Sequence, residues 1–231
     1  MAFWIIFIGF LLLSWFVSNR LKSKFKKYSQ IPLQSGMSGA EVARKMLQDN
    51  RIYDVEVTHV PGKLTDHYNP ANKTVNLSEG VYHGRSAAAA AIAAHECGHA
   101  VQHANAYSFL EMRSAMVPVQ NASSKILNFI FIFSFIGGVF FMSFPIEAVL
   151  LVIIACYAVI SLFSIITLPV ELDASKRALA WISDRGVVSS SEYAMSKDAL
   201  KWAALTYVVA ALSSISMLLF YVLQYLGMSN D

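Results

Sequence analysis

The sequence predicts a mainly α-helical membrane protein with four transmembrane helices and one smaller α+β polar domain. Three observations carry this. Of 231 residues, 56% are apolar and only 14% are charged, against about 25% charged in an ordinary soluble domain. Four apolar runs have the length and character of spans. Between the first two lies a single polar stretch the size of a small domain, Ser18–Lys125. The same arithmetic excludes a disordered chain, a basic nucleic-acid-binding protein and an ordinary cytosolic enzyme. No nucleic-acid partner is expected. The two cysteines, Cys97 and Cys156, cannot build a disulfide framework.

The first run, Ala2–Val17, is the shortest, and Lys22 or Lys24 would have to snorkel to complete a crossing. Its positive charges follow the apolar stretch and no Ala-x-Ala-like site comes after it, so it reads as a retained anchor rather than a cleaved leader. Ile126–Phe144 and Ala148–Leu168 follow each other across a turn centred on Pro145. The fourth run, Ala203–Gly227, starts behind Lys201 and Trp202, a suitable interfacial pair.

All 18 Lys and Arg residues fall in Ser18–Lys125 and Pro169–Trp202. The positive-inside rule therefore expects both polar segments in the cytoplasm and both termini outside.

Within the first polar segment, Ser38-Gly39-Ala40-Glu41 is a capping box opening a helix to Gln48. Val55, Val57 and Val60 suggest a short strand ahead of the Pro61-Gly62 turn. Leu64–Tyr68, the Asn69–Asn72 turn and Thr74–Leu77 read as strand, turn and strand. From Ser86 the chain is helical through His103, with seven alanines in Ala87–Ala94. Residues 104–125 read as irregular or as a broken helix, with Pro118 interrupting. Pro169 reads as a boundary, Val170–Ser183 as a helix, Asp184-Arg185-Gly186 as its stop, and Ser189-x-x-Glu192 as the start of the helix feeding the last span.

The chemistry lies in His95-Glu96-Cys97-Gly98-His99. Residues i and i+4 share a helix face about 6 Å apart along the axis, so two imidazoles can converge on one Zn²⁺. Glu96 projects beside them, placed to take a proton from water at the metal. Gly98 sits inside a helix at a cost of about 1 kcal/mol relative to Ala, which close approach of another element would explain.

A catalytic zinc needs a third protein ligand. His103 is four residues past His99 but about 12 Å from His95 on a straight helix, which excludes it. His59, His67 and His83 are possible ligands without a recognisable metal-site pattern. Glu171 is the better candidate, because a carboxylate directly behind an apolar run is expensive unless paired or metal-bound. A salt bridge to Lys176 or Arg177 is the alternative use for it. Asp173 is a further candidate ligand, about 200° round the helix from Glu171.

With these residues in place, the chain resembles the gluzincin-type membrane metalloproteases, distantly the HtpX-like and CAAX prenyl-protease enzymes. It more closely resembles the YugP-like neutral zinc metallopeptidases of bacteria. The resemblance rests on Asp66–Pro70, Val75–Ser78, His95–Gln102, Leu168–Ala178 and Ala203–Tyr207. It implies a zincin-like domain, His95, His99 and Glu171 as zinc ligands, Glu96 as general base, and a place in the bacterial cell membrane. The Thr74–Leu77 strand resembles the edge strand on which such proteases lay substrate. One departure concerns the position four residues after Glu171, where relatives often carry an Asp that orients a zinc histidine. Here it is Ser175, a weaker acceptor for an imidazole N–H, leaving Asp173 or a backbone carbonyl as substitutes.

The expected activity is that of a zinc metalloendopeptidase, a hydrolase in which Glu96 assists attack of zinc-bound water on a peptide bond of a membrane-associated polypeptide. Tyr68, His67, Tyr82, His83 and Arg177 are unranked candidates for stabilising the oxyanion. Two rivals stand beside this reading. A site-2-type intramembrane protease is disfavoured because Ser86–Ala104 carries Glu96 and three histidines, and because Leu172-Asp173-Ala174 only approaches the Leu-Asp-Gly signature. A non-hydrolytic zinc-binding membrane scaffold would keep the same residues. Oligomeric state and substrate identity are not written in the sequence.

Overall fold

The computed structural model describes residues 1–136 and 145–228. In chain order its elements are α1 (Ala2–Tyr28), α2 (Gly39–Asp49), β1 (Glu56–Val60), β2 (His67–Asn69), β3 (Thr74–Ser78), α3 (Glu79–Tyr82), α4 (Ala87–Ala104), α5 (Ser108–Ile136), α6 (Ile146–Asp184) and α7 (Ser190–Met228). Three of these helices are long and apolar enough to cross a membrane: α1, α6 and α7. The expected span Ile126–Phe144 begins inside α5, and its last eight residues lie outside the described residues.

Two compact units divide the chain. One contains Met1–Trp15, Met112–Leu168 and the chain from Tyr207 onward. Its apolar contacts include Leu127, Ile130, Leu150, Ile153 and Met217. Large side chains such as Trp4, Ile5, Leu11 and Leu12 are exposed along α1, a surface suited to lipid contact rather than water.

The other unit contains Phe16–Glu111 and Pro169–Thr206. Its sheet has the order β1-β3-β2, with β1 parallel and β2 antiparallel to β3. Val75 and Leu77 of β3 are fully buried, as are Val42 of α2, Ala91 and Ala93 of α4, and Ala178 and Ile182 of α6. These side chains form one core. Asn76 ties two strands together, its Oδ1 accepting from the Thr58 hydroxyl at 2.8 Å.

The capping box at Ser38 forms as the sequence predicts: Ser38 Oγ accepts from the Glu41 N–H, and Glu41 Oε2 accepts from the Ser38 N–H at 2.6 Å. The same exchange joins Ser189 and Glu192 ahead of α7. Gly186 takes a left-handed φ of +61° just past α6, which only glycine adopts without steric cost.

Three expectations need correction. Pro118 lies inside a continuous α5, and Pro169 lies inside a continuous α6. A proline removes one helical hydrogen bond, but the stripe Val170, Ala174, Ala178 and Ile182 is completely buried, and that burial holds α6 together past the proline. The Thr74–Leu77 segment is not an edge. β3 is the central strand, flanked on both sides, and β1 and β2 are the edges.

Candidate metal centre

The candidate metal site is built where α4 meets α6. α4 starts at Ser86, whose Oγ accepts from the Ala89 N–H at 3.2 Å. Its small, buried residues Ala89–Ala91, Ala93, Ala94 and Cys97 pack into the core. Gly98 follows them, against the backbone of Ala174 on α6. The close approach expected from Gly98 is thus made by the helix that carries Glu171.

The crossing sets two imidazoles against one carboxylate. His95 Nε2 lies 3.2 Å and His99 Nε2 3.6 Å from Glu171 Oε2. Donor atoms of all three side chains fall within 4.8 Å of one another. Glu171 is 2% exposed. Arg177, one of the two cations named as its alternative partner, pairs with Asp173 at 2.5 Å.

The far sides of both rings are held. Ser175 Oγ lies 3.1 Å from His95 Nδ1. Gln102, fully buried, places its Oε1 3.0 Å from His99 Nδ1. Its Nε2 donates to the Val170 carbonyl and to Asp173 Oδ2, each at 2.8 Å. Both of those partners only accept, so the amide nitrogen must face them and the amide oxygen must face His99. His99 Nδ1 is therefore a donor, which leaves Nε2, turned toward Glu171, as the nitrogen that a metal would take in place of its proton.

Charge follows the geometry. Burial works against an ionised Glu171, but hydrogen bonds with His95 and His99 outweigh it and hold the carboxyl well below its usual range. Burial pulls the His99 imidazole down, and the Glu171 carboxylate outweighs that pull and holds it above its ordinary value. The centre favours a positive species at the Nε2 atoms.

The donor set fits zinc. Nitrogen and oxygen ligands at about 2.0–2.2 Å in tetrahedral array stand about 3.3–3.6 Å apart. The two nitrogen-to-oxygen separations are 3.2 and 3.6 Å, the first just under that spacing and the second at its upper end. His99 is buried and His95 half-buried, and imidazoles with Nδ1 engaged are the usual form of such ligands.

Glu96 stands at the edge of the site, where its Oε2 accepts the backbone N–H of Tyr68 on β2 at 3.0 Å. The Tyr68 hydroxyl bonds His103 Nδ1 at 2.7 Å, so His103 serves β2 and not the metal. Burial pushes that phenol up to about 12, which keeps it a neutral donor. The remaining histidines lie in other contacts: His67 Nδ1 is 2.8 Å from the Thr65 carbonyl, and His59 packs on Tyr82 and His83. Of the oxyanion candidates, Tyr82 accepts from Arg44 at 2.7 Å, and Arg177 is committed to Asp173.

Sequence reasoning missed Gln102 and the Tyr68 backbone. Gln102 has a readable signal, since it lies three residues past His99 on the same helix face. The Tyr68 N–H has none, because the sequence does not show which strand edge faces α4.

The family described as "Putative neutral zinc metallopeptidase" matches residues 3–226. The chain belongs to this family. It is 40% identical over 227 residues to a Bacillus subtilis (strain 168) protein named "Putative membrane protease YugP", covering 98% of each chain. No solved structure matches it. The zinc-peptidase family and the His95, His99 and Glu171 donor set agree on zinc as the cofactor.

Proposed function

We propose that the protein is a membrane-anchored zinc metalloendopeptidase of the gluzincin type that cleaves polypeptides at the cytoplasmic face. His95, His99 and Glu171 hold the metal, and Glu96 is the general base. The observation that carries this reading is the convergence of a carboxylate from α6 on two imidazoles of one α4 face, at 3.2 and 3.6 Å.

When bound, zinc supplies a Lewis acid that polarises the scissile carbonyl and lowers the pKa of a water. Glu96 takes the proton of the attacking water and returns it to the leaving amine. The Tyr68 N–H on its Oε2 steadies the carboxylate for this exchange. Because β2 is an edge strand, a substrate backbone added along it would run beside Glu96. Gln102 holds His99 in the ligating tautomer, and Ser175 steadies the His95 ring through its Nδ1.

The contacts of α4 with the sheet and with α2 favour a zincin-like α+β domain over an intramembrane site. The charge pattern supports four spans, Ala2–Val17, Ile126–Phe144, Ala148–Leu168 and Ala203–Gly227, with Ser18–Lys125 and Pro169–Trp202 in the cytoplasm and both termini outside. Membrane-associated polypeptides are the substrates this placement serves.

The test is Glu96→Gln in purified, zinc-loaded protein in liposomes, assayed on an unfolded membrane-tethered polypeptide. Zinc content should stay at the wild-type level while cleavage falls by about 10²–10⁴-fold. Cleavage at the wild-type rate would remove Glu96 as the base. Bound zinc with no cleavage by either protein would favour the non-hydrolytic scaffold.

A further inference from the structure

Beside the metal centre, between α6 and α7, lies a groove of about 440 Å³, within the usual size of small-ligand sites. Leu172, Leu179, Leu200 and Ala204 give it an apolar lining, and Lys176, Lys197 and Lys201 stand around it. No acidic side chain lines it. All three lysines are exposed, and none makes an ion pair among the described residues.

Position gives this chemistry its meaning. Leu172 comes four residues after the apolar run Ala148–Leu168, and Lys201 comes two residues before the run Ala203–Gly227. The groove therefore belongs to the stretches of α6 and α7 that adjoin their apolar runs, where a bilayer presents its headgroups. Unpaired basic side chains around an apolar cleft between such helices match a lipid with a negative headgroup and a hydrocarbon tail.

We propose that this groove binds an anionic phospholipid, its phosphate held by Lys176, Lys197 and Lys201 and its upper acyl chain lying along Leu172, Leu200 and Ala204. A zwitterionic lipid would bring its own cation against the three ammonium groups and bind more weakly. Ser175 forms part of the same wall and also contacts His95, so the lipid would lie one side chain from the metal centre. The proposal does not depend on the centre hydrolysing peptides.

Native mass spectrometry of the detergent-solubilised full chain tests it, titrating phosphatidylglycerol against phosphatidylcholine of identical acyl composition. Wild type should retain phosphatidylglycerol selectively. K176Q/K197Q/K201Q should lose about 100-fold of that affinity, with zinc content unchanged as the check on folding. K22Q/K26Q/K27Q, equal in charge removed but behind α1, should keep the selectivity. Ala204→Trp should weaken binding by filling the groove without changing charge. Equal binding of both lipids by wild type would overturn the proposal, as would full selectivity in the first triple variant. Crosslinking that finds a polypeptide in the groove in place of lipid would overturn it too.

Discussion

Gly98 and Ala174 are in backbone contact: a Cβ added to Gly98 would stand 2.6 Å from the Ala174 carbonyl oxygen. The neighbour is a helix backbone and cannot rotate away, so Gly98→Ala must push α4 from α6. Overpacking of this kind costs about 1–3 kcal/mol. Because the displaced helices carry the proposed metal donors, zinc affinity should fall together with the melting temperature. Calorimetry and a zinc titration of the same sample check both. A variant with unchanged zinc affinity would mean that the crossing does not set the donor spacing.

Gln102→Leu should weaken zinc binding by about 10–100-fold, the usual cost of losing a partner that orients a metal histidine. It also leaves the Val170 carbonyl without its 2.8 Å donor. Competition with a chelator of known affinity measures the loss.

Ser175→Ala should act in the same direction on His95, and Ser175→Asp in the opposite one. A carboxylate accepts an imidazole N–H more strongly than a hydroxyl does, so the aspartate variant should hold zinc at least as tightly as wild type. Zinc off-rates of the two variants decide this.

An acid-sensitive tie joins α1 to α7. The Tyr28 hydroxyl donates to Asp198 Oδ2 at 2.5 Å, and Lys24 Nζ stands 2.7 Å from it. Burial raises the Asp198 carboxyl, but the bonds from Lys24 and Tyr28 outweigh it and hold it below the ordinary value. A depressed carboxylate contributes stability that is present above its unfolded value of about 3.9 and is lost as pH falls through the folded one. Wild type should therefore lose more stability than Asp198→Asn on acidification below about pH 4. Thermal melts across that range measure the difference, and parallel curves would show that Asp198 contributes nothing.

The legible parts of this protein are those governed by neighbours in sequence. Ser38 with Glu41 and Ser189 with Glu192 satisfy helix ends within four residues, so their pattern announces them. His95 and His99 share a face by helical period alone. Glu171 was reachable because a carboxylate behind an apolar run demands a partner. The prolines misled for the opposite reason: Pro169 is a local breaker, while Val170, Ala174, Ala178 and Ile182 are buried by partners distant in sequence. β3 looked like half of a hairpin, and its second neighbour, β1, joins through a non-local parallel pairing that alternation cannot reveal. Gln102 is hard to read from sequence because a glutamine near a helix end usually faces water, and here α6 covers it.

Two imidazoles of α4 and one carboxylate of α6 are proposed to bind a single zinc ion. X-ray absorption at the zinc edge of the purified, metal-loaded protein, beside Glu171→Ala, tests this directly. Nitrogen and oxygen ligands alone are expected, at about 2.0–2.2 Å, with zinc lost or its ligand shell altered in the variant. A sulfur ligand at about 2.3 Å, or a spectrum identical in Glu171→Ala, would contradict this coordination.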